Sequence, residues 1–163
     1  MYKEHVIDSI KDVLIAKRKT LAIAESVTAG HIQAAVSLAT KATSFFQGGL
    51  TAYNLNEKTR LLHVDVVHAM SCNCVSEKVA GEMAVNVAKL FQSDWGISIT
   101  GYATPVPDLG VNNLFAYWAA SHQGKVIKAA VLTAEKDQPL NVQVFYANEV
   151  LKSFLQVLND FTE

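Results

Sequence analysis

One stretch of ten residues, 21–30, constrains the fold more than any other part of the chain, and its sequence is LAIAESVTAG. Four apolar residues precede Glu25, a run typical of a strand in the interior of a sheet. Ser26 and Gly30 follow, and a helical pattern of apolar residues starts at His31. The stretch therefore predicts a buried strand, a tight turn and a helix.

The turn in this stretch contains Ser26, Thr28 and Gly30, which lie just before the predicted helix. Backbone N–H groups and the dipole at a helix start favour an anion, and a serine held there is a candidate nucleophile. The same residues also suit an ordinary N-cap, in which a hydroxyl group accepts from a free amide. The residues of the turn alone leave both interpretations open.

Strand and helix patterns alternate along the rest of the chain and end in a hairpin and a long helix. This order predicts a three-layer α/β/α sandwich with a mixed, mostly parallel sheet, in a single domain over residues 1–163. Ligands bind such sheets beyond the carboxyl ends of the strands, where Ser26, Tyr53 and Thr100 would cluster. The predicted strands are 20–25, 50–53, 95–101, 114–120 and 125–133; the predicted helices are 6–17, 30–38, 56–62, 76–91 and 139–159; residues 63–74 are predicted to be irregular and 102–113 to form a loop.

The composition favours a folded enzyme or binding domain over a disordered chain or a nucleic-acid binder. Half of the 163 residues are hydrophobic and 18% are charged, which suffices for a substantial core. The net charge of −1 offers no broad basic surface for a phosphate backbone. No apolar run approaches the ~20 residues of a membrane span, so we expect a cytoplasmic protein that does not enter a membrane.

The cysteines and glycines give no sign of a metal or a cofactor. Cys72 and Cys74 are too close in sequence for an easy disulfide, and with His68 they lack a fourth ligand for zinc. The glycine fingerprints of ATP-binding and dinucleotide-binding loops do not occur. We expect neither a metal nor a cofactor.

Four motifs together resemble the CinA C-terminal domain family. They are AESVTAG at 24–30, GGLTAYN at 48–54 with Lys58, VSE at 75–77 and ITG at 99–101. The resemblance keeps the same order from about residue 8 to residue 158. It implies an α/β domain that hydrolyses the carboxamide of nicotinamide mononucleotide, or a related amide, to a carboxylate and ammonia in pyridine nucleotide salvage without a metal.

The resemblance also implies roles for individual residues. Ser26 matches the nucleophilic serine, Lys58 the base and Tyr53 a tyrosine that relays a proton to the leaving ammonia. A lysine can take a proton from serine when burial lowers its pKa and leaves it neutral. The predicted substrate-binding residues are Thr28 and Gly30, whose amides would hold the oxyanion, together with Thr100, Gly101 and Gln138.

The chain departs from the family pattern in the parts that would hold the substrate. Ala29 replaces the first of two adjacent glycines, and residues 102–108 replace a glycine-rich loop. Gln138 stands where the family has an arginine, and glutamine cannot form a charge-assisted pair with a phosphate. A second hypothesis therefore stands beside the amidase: a diverged, inactive paralogue that binds a ligand or a partner. If the chain is an amidase, the missing arginine predicts that nicotinamide or its riboside competes with the mononucleotide for the site better than in the family at large.

The chain is also expected to associate with itself. Phe45 and Phe46 precede Gly48 and Gly49 and look exposed in the sequence, and the resemblance points to a homodimer or a larger homo-oligomer.

Overall fold

A five-stranded sheet in the order β2-β1-β3-β4-β5 forms the centre of the computed structural model, which describes residues 1–162. Strand β1 pairs in parallel with β2 and with β3, whereas β4 pairs antiparallel with β3 and β5. Four of the five strands therefore run in one direction and β4 runs against them, which agrees with the predicted mixed sheet. The strands are β1 Leu21–Glu25, β2 Phe46–Thr51, β3 Trp95–Gly101, β4 Leu114–His122 and β5 Lys125–Ala134.

Helices cover both faces of the sheet and complete the predicted three layers. Helices α1, α2 and α6 pack on one face, and α3, α4 and α5 pack on the other. In the described part of the chain, no helix is long and apolar enough to cross a bilayer. The helices are α1 Glu4–Ala16, α2 His31–Ser37, α3 Leu55–Leu62, α4 Val66–Ser71, α5 Glu77–Leu90 and α6 Pro139–Asp160, with short 3-10 turns at Ala42–Ser44 and Pro107–Leu109.

The apolar run of β1 is explained by burial on both faces of the sheet. Leu21 and Ile23 join the core beneath α1, α2 and α6, while Ala22 and Ala24 join the core beneath α3 and α5. All four side chains are fully buried. A central parallel strand covered by helices on both sides has no solvent face, so its sequence shows no alternation of apolar and polar residues.

Two predicted boundaries were wrong. Residues 63–74, expected to be irregular, contain α4, whose first amides at Val67 and His68 donate to the carboxylate of Asp65. Six residues are too few for a helical period to stand out. Strand β2 begins at Phe46 rather than at residue 50. Its residue 49 is glycine because a Cβ there would collide with the backbone of Ile23 in β1.

The expectation that Phe45 and Phe46 form an exposed apolar pair was also wrong. Phe45 is fully buried in the core beneath α1, α2 and α6, and Phe46 is half-buried against the same core. The pair therefore packs into the core at the start of β2 and is not the exposed apolar pair that the sequence suggested. Self-association remains a prediction that rests on the resemblance alone.

We expect Phe45→Ala to lower the free energy of unfolding by about 3–5 kcal/mol, because it removes a fully buried ring and leaves a cavity. Phe46→Ala is the matched control, and its loss should be clearly smaller because that ring is half exposed. Urea denaturation of both variants measures the difference. Equal losses would contradict the assignment of Phe45 to the core.

Candidate functional site

A cavity of about 450 Å³ lies beyond the carboxyl ends of the three neighbouring strands β1, β2 and β3. Ser26 follows β1 directly, Tyr53 lies between β2 and α3, and Gly101 ends β3. The parallel strands thus bring three distant segments to one edge of the sheet, as the sequence predicted. The wall consists of Ser26, Val27, Tyr53, Asn54, Leu55, Lys58, Asn73, Cys74, Val75, Thr100, Gly101, Tyr102, Ala103, Thr104, Val106, Pro139 and Gln143.

Ser26 and Lys58 form a direct hydrogen bond inside this cavity. The Lys58 amine donates to the Ser26 hydroxyl oxygen at 2.8 Å and to the carbonyl oxygen of Ala52 at 2.8 Å. Lys58 lies on α3, and the N-cap Asn54 fixes the start of that helix by accepting from the amide of Glu57. The spacing of five residues between Tyr53 and Lys58 therefore places the lysine on α3, within hydrogen-bond distance of Ser26.

Burial sets the protonation of Lys58. Its side chain is 2% exposed, and removal from water lowers its pKa from 10.5 to about 8. No carboxylate in the described part of the chain forms an ion pair with it that would restore the charged form. The neighbouring Cys74 acts in the opposite direction but more weakly. Roughly a tenth of Lys58 is therefore neutral near pH 7, and this neutral form can accept a proton from Ser26.

The carboxylate of Glu25 organises the turn that carries Ser26. It is fully buried and accepts from the amides of Gly30 (3.0 Å), Ile32 (3.0 Å) and Gln33 (2.8 Å) at the start of α2. It also accepts from the Thr28 hydroxyl at 2.6 Å and from the Gln33 side chain at 3.0 Å. An acidic residue of the chain itself thus occupies the anion-favouring end of this helix.

This network engages the amide of Gly30, one of the two residues whose amides were predicted to hold the oxyanion, and leaves the amide of Thr28 open. The Thr28 hydroxyl and the Gly30 amide bind Glu25, and neither residue lines the cavity. Two amides of the turn stay open, because the N–H groups of Val27 and Thr28 donate to no other residue among 1–162. The N–H groups available to an oxyanion are therefore those of Val27 and Thr28, and Val27 lines the cavity.

Backbone conformation explains the small residues at positions 29 and 30. Gly30 has φ +106°, a value that side chains rarely tolerate, and Ala29 has φ +48°. Ala29 stands where the family pattern has glycine. A side chain in this left-handed conformation adds strain of about 1–2 kcal/mol to the turn. The Gln143 side chain supports the turn by donating to the carbonyl of Val27 at 3.0 Å.

The other predicted site residues divide into two groups. Tyr53, Thr100 and Gly101 line the cavity; Tyr53 is 67% exposed, and the buried Thr100 hydroxyl donates to the carbonyl of Cys74 at 2.8 Å. Gln138 does not line the cavity, although the next residue, Pro139, does. The cavity thus includes the serine, the lysine and the tyrosine but not the glutamine.

Sequence reasoning missed twelve of the seventeen residues of the wall, among them Asn73, Cys74, Tyr102 and Gln143. The Asn73 side chain donates to the Tyr102 hydroxyl at 3.1 Å, which connects the loop after α4 with the loop after β3. Asn73 and Cys74 both have φ values between +50° and +61°. Asn73 lay within the segment predicted to be irregular, where consecutive left-handed residues leave no periodic signal.

Among the described residues 1–162, no group of three or more His, Cys, Asp and Glu side chains is arranged to hold a metal ion. His68 Nε2 hydrogen-bonds the Ser76 hydroxyl at 2.8 Å, and the Cys72 thiol donates to the carbonyl of His68 at 3.3 Å. Burial raises the pKa of the Cys74 thiol. The His68 ring and the Cys72 thiol thus each have a hydrogen-bond partner within the chain.

Comparison with known proteins gives one consistent match. The sequence-family model of the CinA C-terminal domain matches residues 3–158 of this chain. A competence-damage inducible protein of Streptococcus pneumoniae is 35% identical over 139 residues, which cover 84% of this chain and 33% of the relative. The chain spans about a quarter to a third of the length of such relatives.

Solved structures agree with this match. A competence-damaged protein (CinA) superfamily protein of Escherichia coli is 28% identical with a TM-score of 0.84, and the alignment covers 94% of this chain and 88% of the other. A competence or damage-inducible protein of Enterobacter asburiae has a TM-score of 0.90 at 24% identity, over 97% and 99% of the two chains. The second similarity concerns the fold alone.

We expect Glu25→Gln to lower the free energy of unfolding by about 2–4 kcal/mol, because an amide group would leave buried N–H donors without an acceptor. Gln33→Leu is the control, since it removes one of the five hydrogen bonds but keeps the carboxylate. Chemical denaturation measures both variants. A glutamine variant as stable as the parent would show that the carboxylate does not hold the turn.

Proposed function

The chain belongs to the CinA C-terminal domain family, and on this premise we propose that it is an amidohydrolase that converts a pyridine carboxamide to the carboxylate and ammonia. The hydrogen bond of 2.8 Å between Lys58 Nζ and Ser26 Oγ carries the proposal. A serine needs a base to attack an amide, and the lysine beside it is buried, without a carboxylate partner and depressed in pKa.

In the first half of the reaction, neutral Lys58 takes the proton of the Ser26 hydroxyl while Oγ attacks the carbonyl carbon of the amide. The carbonyl oxygen becomes an oxyanion, which the open amides of Val27 and Thr28 are suited to receive. When the C–N bond breaks, the proton on Lys58 passes to the leaving nitrogen, and ammonia departs. Tyr53, at the cavity wall, is the proposed relay for that proton.

In the second half, water attacks the ester formed on Ser26. Lys58, again neutral, takes a proton from the water, and the oxyanion forms in the same place. When the ester C–O bond breaks, the proton on Lys58 returns to Ser26 Oγ, and the carboxylic acid formed gives its proton to solvent and leaves as the carboxylate. Lys58 thus acts as base and then as acid in both halves, and Tyr53 relays the proton to the leaving nitrogen in the first half.

A second candidate function is a diverged binding module without turnover. Tyr102 favours it, because this bulky residue begins the segment that replaces the family's glycine-rich loop and is tied to Asn73 across the cavity. The preserved contact between Ser26 and Lys58 favours the amidase, since a module that only binds has no need for a buried lysine. We therefore rank the amidase first.

The amidase proposal predicts that purified protein releases ammonia from nicotinamide mononucleotide or its riboside and that Ser26→Ala lowers the rate by at least about 10³-fold. Lys58→Met should lose a similar factor, since methionine fills the buried space without providing a base. Asn73→Ser, at the wall but outside the proton transfer, is the control and should keep most of the activity. A Ser26→Ala protein with the parent rate would contradict the nucleophile.

The buried lysine predicts a pH profile. Because the base must be neutral and its pKa is about 8, kcat/KM should rise about tenfold between about pH 7 and about pH 9 and then level off. Initial rates of ammonia release measure this profile, with circular dichroism as a control for folding at each pH. A rate that is flat over this range, or that falls with rising pH, would contradict Lys58 as the base.

A further inference from the structure

We infer that Gln143 binds the –NH2 group of the carboxamide through its side-chain oxygen and thereby distinguishes the substrate from the carboxylate product. The inference rests on the proposed function, because it assigns a specificity-determining residue to the same cavity. Gln143 takes no part in the proposed proton transfers. Its place at the wall and its hydrogen bond to the turn that carries Ser26 support the inference.

Helix α6 holds Gln143 at the wall of the cavity. Val142 and Tyr146, on either side of it in sequence, are buried in the core beneath α1, α2 and α6. The Tyr146 hydroxyl also donates to the carbonyl of Tyr102 at 3.1 Å, which connects the helix to the loop after β3. Gln143 itself is half-buried. Its backbone is therefore held by the core, and its side chain extends from a fixed position.

The hydrogen bond to Val27 determines which atom of the Gln143 side chain is left for a ligand. The side-chain amide has a donor group, Nε2, and an acceptor, Oε1. A backbone carbonyl only accepts, so the atom that contacts the Val27 carbonyl oxygen at 3.0 Å must be Nε2. The opposite orientation would bring two acceptors together. Oε1 is left over, and it accepts from no other group among residues 1–162.

The other groups of the wall leave Gln143 as the acceptor best placed for the reacting amide. None of the seventeen wall residues is Asp or Glu. The side-chain oxygen of Asn54 is already used, because it accepts from the amide of Glu57. Gln143 contacts Val27, which directly follows the proposed nucleophile Ser26. A carboxamide group is small, so one that Ser26 attacks has its nitrogen in the vicinity of Gln143.

An acceptor at this place distinguishes an amide from an acid. The –NH2 group of a carboxamide donates, whereas both oxygens of a carboxylate only accept. The amide thus gains a hydrogen bond to Oε1 of Gln143, while the carboxylate places a charged oxygen against that atom. A site built to bind an N–H group rejects a ligand that lacks it, because a polar group of the protein is then left without a partner. The product therefore binds more weakly once the nitrogen has left.

Ligand binding to the Ser26→Ala protein tests the inference without turnover. Calorimetric titration compares nicotinamide mononucleotide with nicotinate mononucleotide, which differ only in the reacting group. At about pH 9 Lys58 is mostly neutral, so its charge does not attract the carboxylate. We expect the amide to bind at least about tenfold more tightly. Equal or tighter binding of the acid overturns the inference, and so does failure of both ligands to bind.

Two substitutions in the same background separate the oxygen of Gln143 from its support of the turn. Gln143→Met removes the acceptor and the hydrogen bond to Val27 together, and it should abolish the preference for the amide. Gln143→Glu keeps acceptor oxygens but cannot donate to Val27 when ionised, and it should retain the preference. If both variants lose the preference equally, Gln143 acts through the turn and the inference is overturned. A preference that survives in Gln143→Met overturns it as well.

Gln156→Met is the matched control, because Gln156 lies on the same helix but lines a separate cavity. It should leave the preference for the amide unchanged, and thermal denaturation checks the folding of each variant. A loss as large as that in Gln143→Met contradicts a local effect of Gln143.

Ammonia release by the unaltered protein is measured beside the titrations so that the two proposals fail separately. A preference for the amide that depends on Gln143, without ammonia release, overturns the amidase and leaves the recognition of the –NH2 group standing. Ammonia release together with a preference that Gln143→Met does not change has the reverse meaning.

Discussion

The site depends on one buried carboxylate, that of Glu25. A charge removed from water is stable only when hydrogen bonds replace its hydration, and Glu25 receives five of them from the turn and the first residues of α2. The same five bonds fix the path of the backbone between β1 and α2. Ser26 lies on that path, so its hydroxyl is held in position before any ligand arrives. The structure thus uses a buried carboxylate of the chain itself to orient the proposed nucleophile.

The sequence predicts a structural feature well when neighbouring residues determine that feature, and poorly when contacts between distant residues determine it. The burial of β1 follows from its unbroken apolar run, and the clustering of Ser26, Tyr53 and Thr100 follows from the rule that parallel strands end at one edge. The acceptor of the Gly30 N–H group could not be predicted in this way. The sequence is equally compatible with a hydrogen bond to Glu25 and with one to a bound ligand. Phe45 shows the same limit: it is buried in a core that includes residues of α1 and α6, which lie far away in sequence.

The burial of Lys58 gives the fold a stability that depends on pH. Its pKa is about 8 in the folded protein and near the ordinary 10.5 in the unfolded chain, so the folded state loses the proton first. Below about pH 8 the fold holds an unfavourable buried charge, and stability from this group increases as the pH rises from about 8 toward 10.5. The protein thus gives up stability at neutral pH for the amine that we propose as the base, a compromise common at catalytic sites.

The antiparallel half of the sheet has a practical consequence. Because Trp95 at the start of β3 pairs with His122 at the end of β4, the hairpin turn at Gln123 and Gly124 lies at the end of the sheet opposite to Gly101 and the cavity. Both turn residues are exposed. A fluorescent label or an affinity handle placed in that turn would leave the mouth of the cavity open, and a fused domain joined there would project away from incoming ligands.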